Sequence, residues 1–359
     1  MTTPKIRVVI VDDSRMIRDV LSEIINEQRD MEVVGAAADA FEARDMIKRL
    51  EPDVITLDVE MPKMNGLEFL DRLMRARPTP VVMISSATER GSEVTFRALE
   101  LGAVDFVTKP KLNEQTPDDY GQMIAEKIRA AKTARLKPPR RAGPEDTVTM
   151  PAVVAKRPVP VGVKTSERVI VVGASTGGTE AIREFLIGMP QDCPGIVIVQ
   201  HMPENFTRMF AERLNGLCQI TVKEAEHNDP ILPGHAYIAP GGKHLWLKRD
   251  GGQLLGKLST EPPMNLHRPS VDFLFLSAAK FLGADAVGVI MTGMGKDGAA
   301  GMLKMKEAGA WTIAQDEATS VIFGMPREAI ESGAVHEVAP LQRLRDKALA
   351  RIAMKEPAR

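Results

Sequence analysis

The sequence predicts an α/β protein built from two doubly wound parallel-sheet domains. Three observations predict it. Short β-branched runs alternate with amphipathic helical stretches through both halves of the chain. A proline-rich, basic stretch interrupts that alternation before the midpoint. The length of 359 residues exceeds one ordinary domain.

In the first half, strands are predicted at 6–11, 32–37, 54–57, 81–84 and 105–107. Helices are predicted between and after them at 16–27, 41–50, 66–76, 93–101 and 118–134. Residues 135–167 hold six prolines and seven Lys or Arg without periodicity, and read as a spacer. Order resumes with a strand at 169–172, a glycine-rich turn, a helix to about 188, a strand at 196–199 and a helix at 204–215. Close-set strands between about 222 and 258, with Gly241-Gly242 and Asp250-Gly251-Gly252 as turn signals, predict a hairpin insertion. A helix at 270–282, a strand at 286–291, a helix at 299–308, a strand at 310–314 and a final helix near 326–331 complete the second unit. The expected partition is therefore 1–134, a 135–167 linker, and 168–350.

Bulk properties exclude several classes. A formal net charge of −1 gives no electrostatic case for nucleic acid or an anionic membrane. The two cysteines, Cys193 and Cys218, show no C-x-x-C spacing, which favours reduced thiols. The N-terminal apolar run is too short for a signal peptide, and no apolar stretch reaches the length of a membrane span. The expectation is a cytoplasmic protein with no membrane insertion.

Two groups of residues carry chemistry. Asp12 and Asp13 follow the first strand and Asp58 follows the third; in a doubly wound sheet these ends are neighbours. Three converging carboxylates repel one another, and a hard divalent cation such as Mg²⁺ relieves that. Ser85 ends the fourth strand and Lys109, before Pro110, follows the fifth; a cis bond there is one way to aim the lysine inward. This set resembles the receiver domains of two-component response regulators over roughly residues 5–130, a flavodoxin-like fold. The resemblance implies Asp58 as phosphoacceptor, Asp12 and Asp13 as the acidic pair, Ser85 as switch hydroxyl, Phe106 as switch aromatic and Lys109 as phosphoryl contact. It also implies a histidine kinase or small phosphodonor, and Mg²⁺.

The second group begins with Gly-Ala-Ser-Thr-Gly-Gly at 173–178, a strand-to-helix turn that exposes Ser175 near unpaired helix N–H groups. The turn alone is equally suited to a dinucleotide pyrophosphate. However, the spacing is not G-x-G-x-x-G, and His201 stands where the second strand of a dinucleotide fold ends in an acid. His201 after one strand and Asp297 after another supply a base and its orienter for Ser175. The chain order Ser, His, Asp differs from that of α/β-hydrolases. Structural roles for His201 and Asp297 stay open at this point, as does a lining or capping role for His267-Arg268-Pro269-Ser270. In the lining role Arg268 would hold an acidic substrate group, and in the capping role Ser270 would be an N-cap.

Residues 168–350 resemble the catalytic domain of the chemotaxis protein-glutamate methylesterases, a Rossmann-like fold. The matching motifs are 173–178, Gln200-His201-Met202-Pro203, His267-Arg268-Pro269-Ser270-Val271-Asp272, and Thr292-Gly293-Met294-Gly295-x-Asp297-Gly298. The resemblance implies Ser175 as nucleophile, His201 as general base then acid, Asp297 as orienter, and the Thr176 and Met294 amides as oxyanion donors. It implies methylated chemoreceptors as substrate, glutamine deamidation as a second activity, a chemotaxis histidine kinase as phosphodonor, and no cofactor for the ester chemistry. An unphosphorylated receiver that covers the triad would explain control by Asp58. A phosphorylation-dependent DNA-binding regulator would need a basic helix-turn-helix after the linker, which 168–350 does not offer. A catalytically silent adaptor is distinguished only by an activity assay.

Overall fold

The computed structural model describes residues 4–85, 89–109, 117–136 and 166–354. Contacts divide the chain into two compact units, 1–143 and 144–359. Most of the predicted spacer, and Pro110, lie outside the described residues.

The first unit alternates β1 (Ile6–Val11), α1 (Arg15–Asn26), β2 (Met31–Ala37), α2 (Ala40–Leu50), β3 (Val54–Asp58), α3 (Gly66–Ala76), β4 (Val81–Ser85), α4 (Glu89–Glu100), β5 (Asp105–Thr108) and α5 (Pro117–Thr133). Its sheet is parallel throughout, in the order β2-β1-β3-β4-β5. The central strands are buried along their lengths, which is why they read as continuous apolar runs. Side-chain caps start α1, α2 and α3. Ser14 Oγ accepts from Ile17 N, Asp39 from Phe41 N and Glu42 N, and Asn65 from Glu68 N. Ile17, Leu21 and Ile25, four apart, form the stripe that α1 buries. Sinking a leucine such as Leu21 stabilises the unit by about 2 kcal/mol.

The second unit runs β6 (Val169–Ala174), α6 (Gly178–Ile187), β7 (Gly195–Gln200), α7 (Glu204–Leu217), β8 (Thr221–Glu224), β9 (Asp229–Pro230), β10 (His235–Ile238), β11 (His244–Asp250) and β12 (Gln253–Ser259). It continues with α8 (Val271–Phe281), a short 3-10 turn, β13 (Ala286–Ile290), α9 (Ala299–Glu307), β14 (Trp311–Gln315), α10 (Met325–Glu331), β15 (Glu337–Ala339) and α11 (Leu341–Ala353). Seven strands form one parallel sheet in the order β15-β14-β13-β6-β7-β10-β8.

Two expectations need correction. The insertion is smaller than the predicted 222–258: β8 and β10 extend the main sheet, and only β9, β11 and β12 form the separate antiparallel layer. Short strands joined by close turns look alike in sequence whichever sheet they enter. The β11–β12 hairpin closes through Gly251-Gly252, both at positive φ (55° and 84°), as a two-residue turn matched to strand twist requires. Nor is the 326–331 helix final, because β15 adds a seventh strand and α11 packs against α6 and β14. Helix α11 buries only Leu341, Leu344 and Ala348, so its apolar signal is thin.

Both sheets have a strand pair at which the chain reverses its direction of winding: β1 with β3, and β6 with β13. The crevice past the carboxyl ends of such a pair is where ligands bind in open α/β sheets.

Candidate active site and phosphoacceptor site

In the second unit, Ser175 follows β6, His201 follows β7 and Asp297 lies in the loop after β13. The turn bearing Ser175 is tied down on several sides. Ser175 N donates to Thr292 O at 3.0 Å, Gly178 N donates to Ser175 O at 2.7 Å, and Gln200 Nε2 donates to the same carbonyl at 2.9 Å. Gly177 caps α6 at a φ of 77°, and a Cβ there would come within 2.6 Å of Val321. A glycine therefore lets the Ser175 turn close. His201 N donates to Ala174 O at 3.2 Å, joining the strand end to the residue before Ser175.

His201 Nε2 lies 2.8 Å from Asp297 Oδ2, and both side chains are buried. An ionised carboxylate only accepts, so the ring carries its proton on Nε2 and keeps a lone pair on Nδ1. That Nδ1 is buried with no hydrogen-bond partner among the described residues. The structure thus joins His201 to Asp297 directly and brings Ser175 to the same crevice, with the Ser–His hydrogen bond unmade.

Asp297 is the most heavily donated carboxylate of the site. Oδ2 also accepts from Val271 N (2.7 Å), and Oδ1 accepts from Ser270 Oγ (2.8 Å), Asn265 Nδ2 (2.8 Å) and Asp272 N (3.1 Å). Two of these donors are first-turn amides of α8, where helix-end potential favours an anion. Burial works to raise the Asp297 carboxyl, but the hydrogen bonds from His201, Asn265 and Val271 hold it below the ordinary carboxylate range.

The 267–270 motif both caps and lines the site. Ser270 Oγ accepts from Phe273 N as the α8 cap while donating to Asp297. His267 stacks on His201 with ring centroids 3.7 Å apart. Arg268 donates to Thr260 O and Glu261 O, fastening the loop, and its peptide bond to Pro269 is cis. The buried Thr176 gives its carbonyl to Thr292 Oγ1, while Met294 is half-buried beside the turn. Sequence reasoning missed Asn265 and the Gln200 clamp. Gln200 ends a strand beside His201, which was a usable signal; Asn265 sits in an unpatterned loop.

In the first unit, Asp12 and Asp58 are buried and Asp13 is exposed, with one carboxylate oxygen of each within 4.8 Å of the others. Lys109 Nζ donates to Asp58 Oδ2 at 2.8 Å and lies 3.3 Å from Asp12 Oδ2. Asp12 Oδ1 accepts from Ser14 N, whereas buried Oδ2 has no hydrogen-bond partner among the described residues. Burial, then the like charge of Asp12, push the Asp58 carboxyl up to about 6 against the pull of Lys109. Burial also raises Asp12. An all-oxygen cluster in which one ammonium serves two buried carboxylates fits a hard divalent cation. Ser85 ends β4, where its Oγ accepts from Thr95 Oγ1 at 2.7 Å, and its carbonyl accepts from Lys109 N. Phe106 is buried on β5.

Comparison with known proteins agrees with this architecture. Residues 170–348 match the family model for CheB methylesterase, and 8–117 match that for the response regulator receiver domain. A protein-glutamate methylesterase/protein-glutamine glutaminase of Thiobacillus denitrificans is 61% identical over 343 residues, 95% of each chain. One from Cupriavidus pinatubonensis is 58% identical over 354 residues, 98% of each chain. The crystal structure of the Thermotoga maritima CheB methylesterase catalytic domain is 40% identical with a TM-score of 0.50, covering 51% of this chain and 97% of that one. The chain belongs to the protein-glutamate methylesterase/protein-glutamine glutaminase family.

Proposed function

We propose that this protein is a phosphorylation-controlled serine hydrolase. It removes methyl esters from glutamate side chains of chemoreceptors, releasing methanol, and deamidates receptor glutamines to glutamate. The observation that carries the reading is the state of His201: Nε2 is committed to Asp297, Nδ1 keeps an unpaired lone pair, and its backbone N–H bonds the carbonyl of the residue before Ser175.

From that geometry the steps follow. Substrate binding brings Ser175 Oγ against Nδ1, a contact that commonly tightens only in the complex. Nδ1 takes the hydroxyl proton as Oγ bonds to the ester carbonyl carbon. Asp297, already ionised, stabilises the imidazolium without receiving its proton. The Thr176 and Met294 amides face the developing oxyanion, within reach of the positive end of α6. As the intermediate collapses, the ester C–O bond breaks and Nδ1 returns its proton to the departing methoxide. Water then repeats the cycle on the acyl-enzyme, giving the glutamate acid and free Ser175. For glutamine the leaving group is ammonia, which needs the same proton from Nδ1. The ester chemistry as proposed draws on these side chains and backbone amides, with no cofactor.

Asp58 is the phosphoacceptor, with Lys109 contacting the phosphoryl oxygens and Ser85 and Phe106 responding to them. Asp12, Asp13 and Asp58 would hold Mg²⁺, which supplies charge neutralisation for phosphoryl transfer. A chemotaxis histidine kinase is the phosphodonor. Phosphorylation shifts the activity of the second unit through a coupling of about 1–3 kcal/mol. Function is expected in the cytoplasm; no described helix is long and apolar enough to cross a membrane. The domain reading is a receiver at 1–134, a linker at 135–167 and a catalytic domain at 168–350.

The test of control is Asp58→Asn. Stimulation by a small phosphodonor is expected to vanish with basal methanol release retained. Stimulation equal to wild type would refute control through Asp58.

A further inference from the structure

Between the hairpin and α8 the chain runs through a short strap. Met264 and His267 exchange backbone hydrogen bonds (3.1 and 3.0 Å), and the two residues between them, Asn265 and Leu266, take left-handed φ values of 53° and 67°. His244 holds both ends of the strap: Nε2 donates to Pro262 O at 3.1 Å, and Nδ1 accepts from Ser270 N at 3.2 Å. At the tip, Asn265 Nδ2 lies 2.7 Å from Asp272 Oδ2 and 2.8 Å from Asp297 Oδ1.

We infer that Asn265 is a positioning residue for the hydrolysis. Both protons of its one amide nitrogen go to two neighbouring buried carboxylates, offsetting their mutual repulsion and holding Asp297 in the orientation that bonds His201.

An amide NH₂ has two protons, and here each has its own anionic acceptor. Asp272, buried, spends its other oxygen on Gly301 N at 2.6 Å, so it cannot turn away from Asp297. Burial and the charge of Asp297 raise the Asp272 carboxyl, and Asn265 works against that rise. Without the amide, two buried carboxylates would face each other with no donor between them, and their repulsion would turn Asp297 out of line with His201. The residue type follows from two independent demands. Left-handed backbone selects Asn, Asp or Gly, and of these only Asn donates protons. Around the amide, the charged and titratable groups are Asp272, Asp297 and His201, with His267 stacked on His201. His244 lies behind Ser270, and Arg268 is on the strap itself.

This inference rests on the triad reading above, and the experiment separates the two. Full-length wild type, Asn265→Gly and Asn265→Asp are compared by methanol release from methyl-labelled chemoreceptor membranes across pH. Ser175 labelling by a fluorophosphonate is followed in parallel, since it reports the activated nucleophile without an ester substrate. Both substitutions keep a residue that tolerates the backbone. For Asn265→Gly, kcat/KM is expected to fall about 10- to 100-fold, mainly in kcat, with labelling slowed in step. Because the Asp297 charge is then less compensated, the protonated imidazole is favoured and the acid limb of the profile moves to higher pH. Asn265→Asp adds a negative charge where a donor stood, and its limb moves further.

Profiles that match wild type would overturn the inference. So would equal losses in both variants with the acid limb unmoved, which would mark a merely structural residue. Wild type that labels at Ser175 but releases no methanol would defeat the substrate assignment, while the labelling comparison still decides Asn265. Wild type that does neither would defeat the triad and this inference with it.

Discussion

Asp58 and Asp297 occupy equivalent places. Each is a buried carboxylate beside the strand pair where a parallel sheet reverses its winding, and each has a cationic or titratable partner at 2.8 Å: Lys109 for one, His201 for the other. Their protonation is pushed in opposite directions. Burial dominates at Asp58 and pushes its carboxyl up to about 6, whereas Asp297 is held below the usual range. The difference lies in donors. Asp297 collects an imidazole, a hydroxyl, an amide side chain and two helix-end amides. Asp58 shares the single Lys109 ammonium with the neighbouring Asp12 instead. A carboxylate saturated with donors is inert scaffolding that fixes a neighbour; one left short of them is primed for a cation and an electrophilic phosphorus.

Neutralising each acid should separate the two sites most strongly. Asp297→Asn is expected to lower kcat/KM for methanol release about 10⁴-fold. An amide nitrogen facing Nε2 would favour the tautomer with its proton on Nδ1, removing the base, and Ser175→Ala should be at least as damaging. A loss below about tenfold would mean that the Asp297–His201 contact is structural.

Asp58→Asn should leave basal turnover intact and remove phosphodonor stimulation, a factor of about 5 to 150 for a coupling of this size. It should also stabilise the first unit at neutral pH in chelator. The folded Asp58 carboxyl sits at about 6 against a reference of 3.8, so wild type binds the proton more tightly when folded. The stability from that proton is fully present below about 3.8 and lost as pH rises through 6, leaving wild type weaker by at most about 3 kcal/mol at pH 7.5. Loss of the Lys109 partner offsets part of the gain in the variant. Denaturant midpoints at pH 7.5 and pH 5 check this, and the advantage of Asp58→Asn should shrink at the lower pH. Added Mg²⁺ should raise the wild-type midpoint at pH 7.5 and leave Asp58→Asn much less affected.

Asp297 has the opposite linkage. Its carboxyl is lowered on folding, so its contribution is present above the unfolded value and is lost only as pH falls below it. Acid should therefore relieve the Asp58 carboxyl at a pH where the Asp297 carboxylate is still fully ionised. The smallest effect concerns Cys193, whose thiol burial pushes up to about 12. Native protein should resist iodoacetamide at pH 8 at this residue, and labelling should appear only with unfolding.

Sequence made the two windings legible because each central strand is buried on both faces and therefore spelled in β-branched residues. It also placed Asp12, Asp58, Ser175, His201 and Asp297 at strand ends, where a parallel sheet gathers side chains. What it hid was contact across long separations. Nothing local to Asn265 reveals a partner 32 residues away at Asp297, and its left-handed backbone leaves no periodic trace. The orientation of His201 was equally hidden, since choosing Nε2 over Nδ1 for Asp297 depends on how the β13 loop meets the β7 end. The sheet membership of β8 and β10 was lost for a related reason: strands of four residues carry too little pattern to say which edge they extend.

Ser175 is expected to perform ester hydrolysis on chemoreceptors under the control of Asp58. The most direct test is methanol release from methyl-labelled chemoreceptor membranes, with and without a small phosphodonor plus Mg²⁺, for wild type and Ser175→Ala. Release by wild type that rises with phosphodonor, and none from Ser175→Ala, is the predicted result. Equal release by Ser175→Ala, or no release by wild type under either condition, would contradict it.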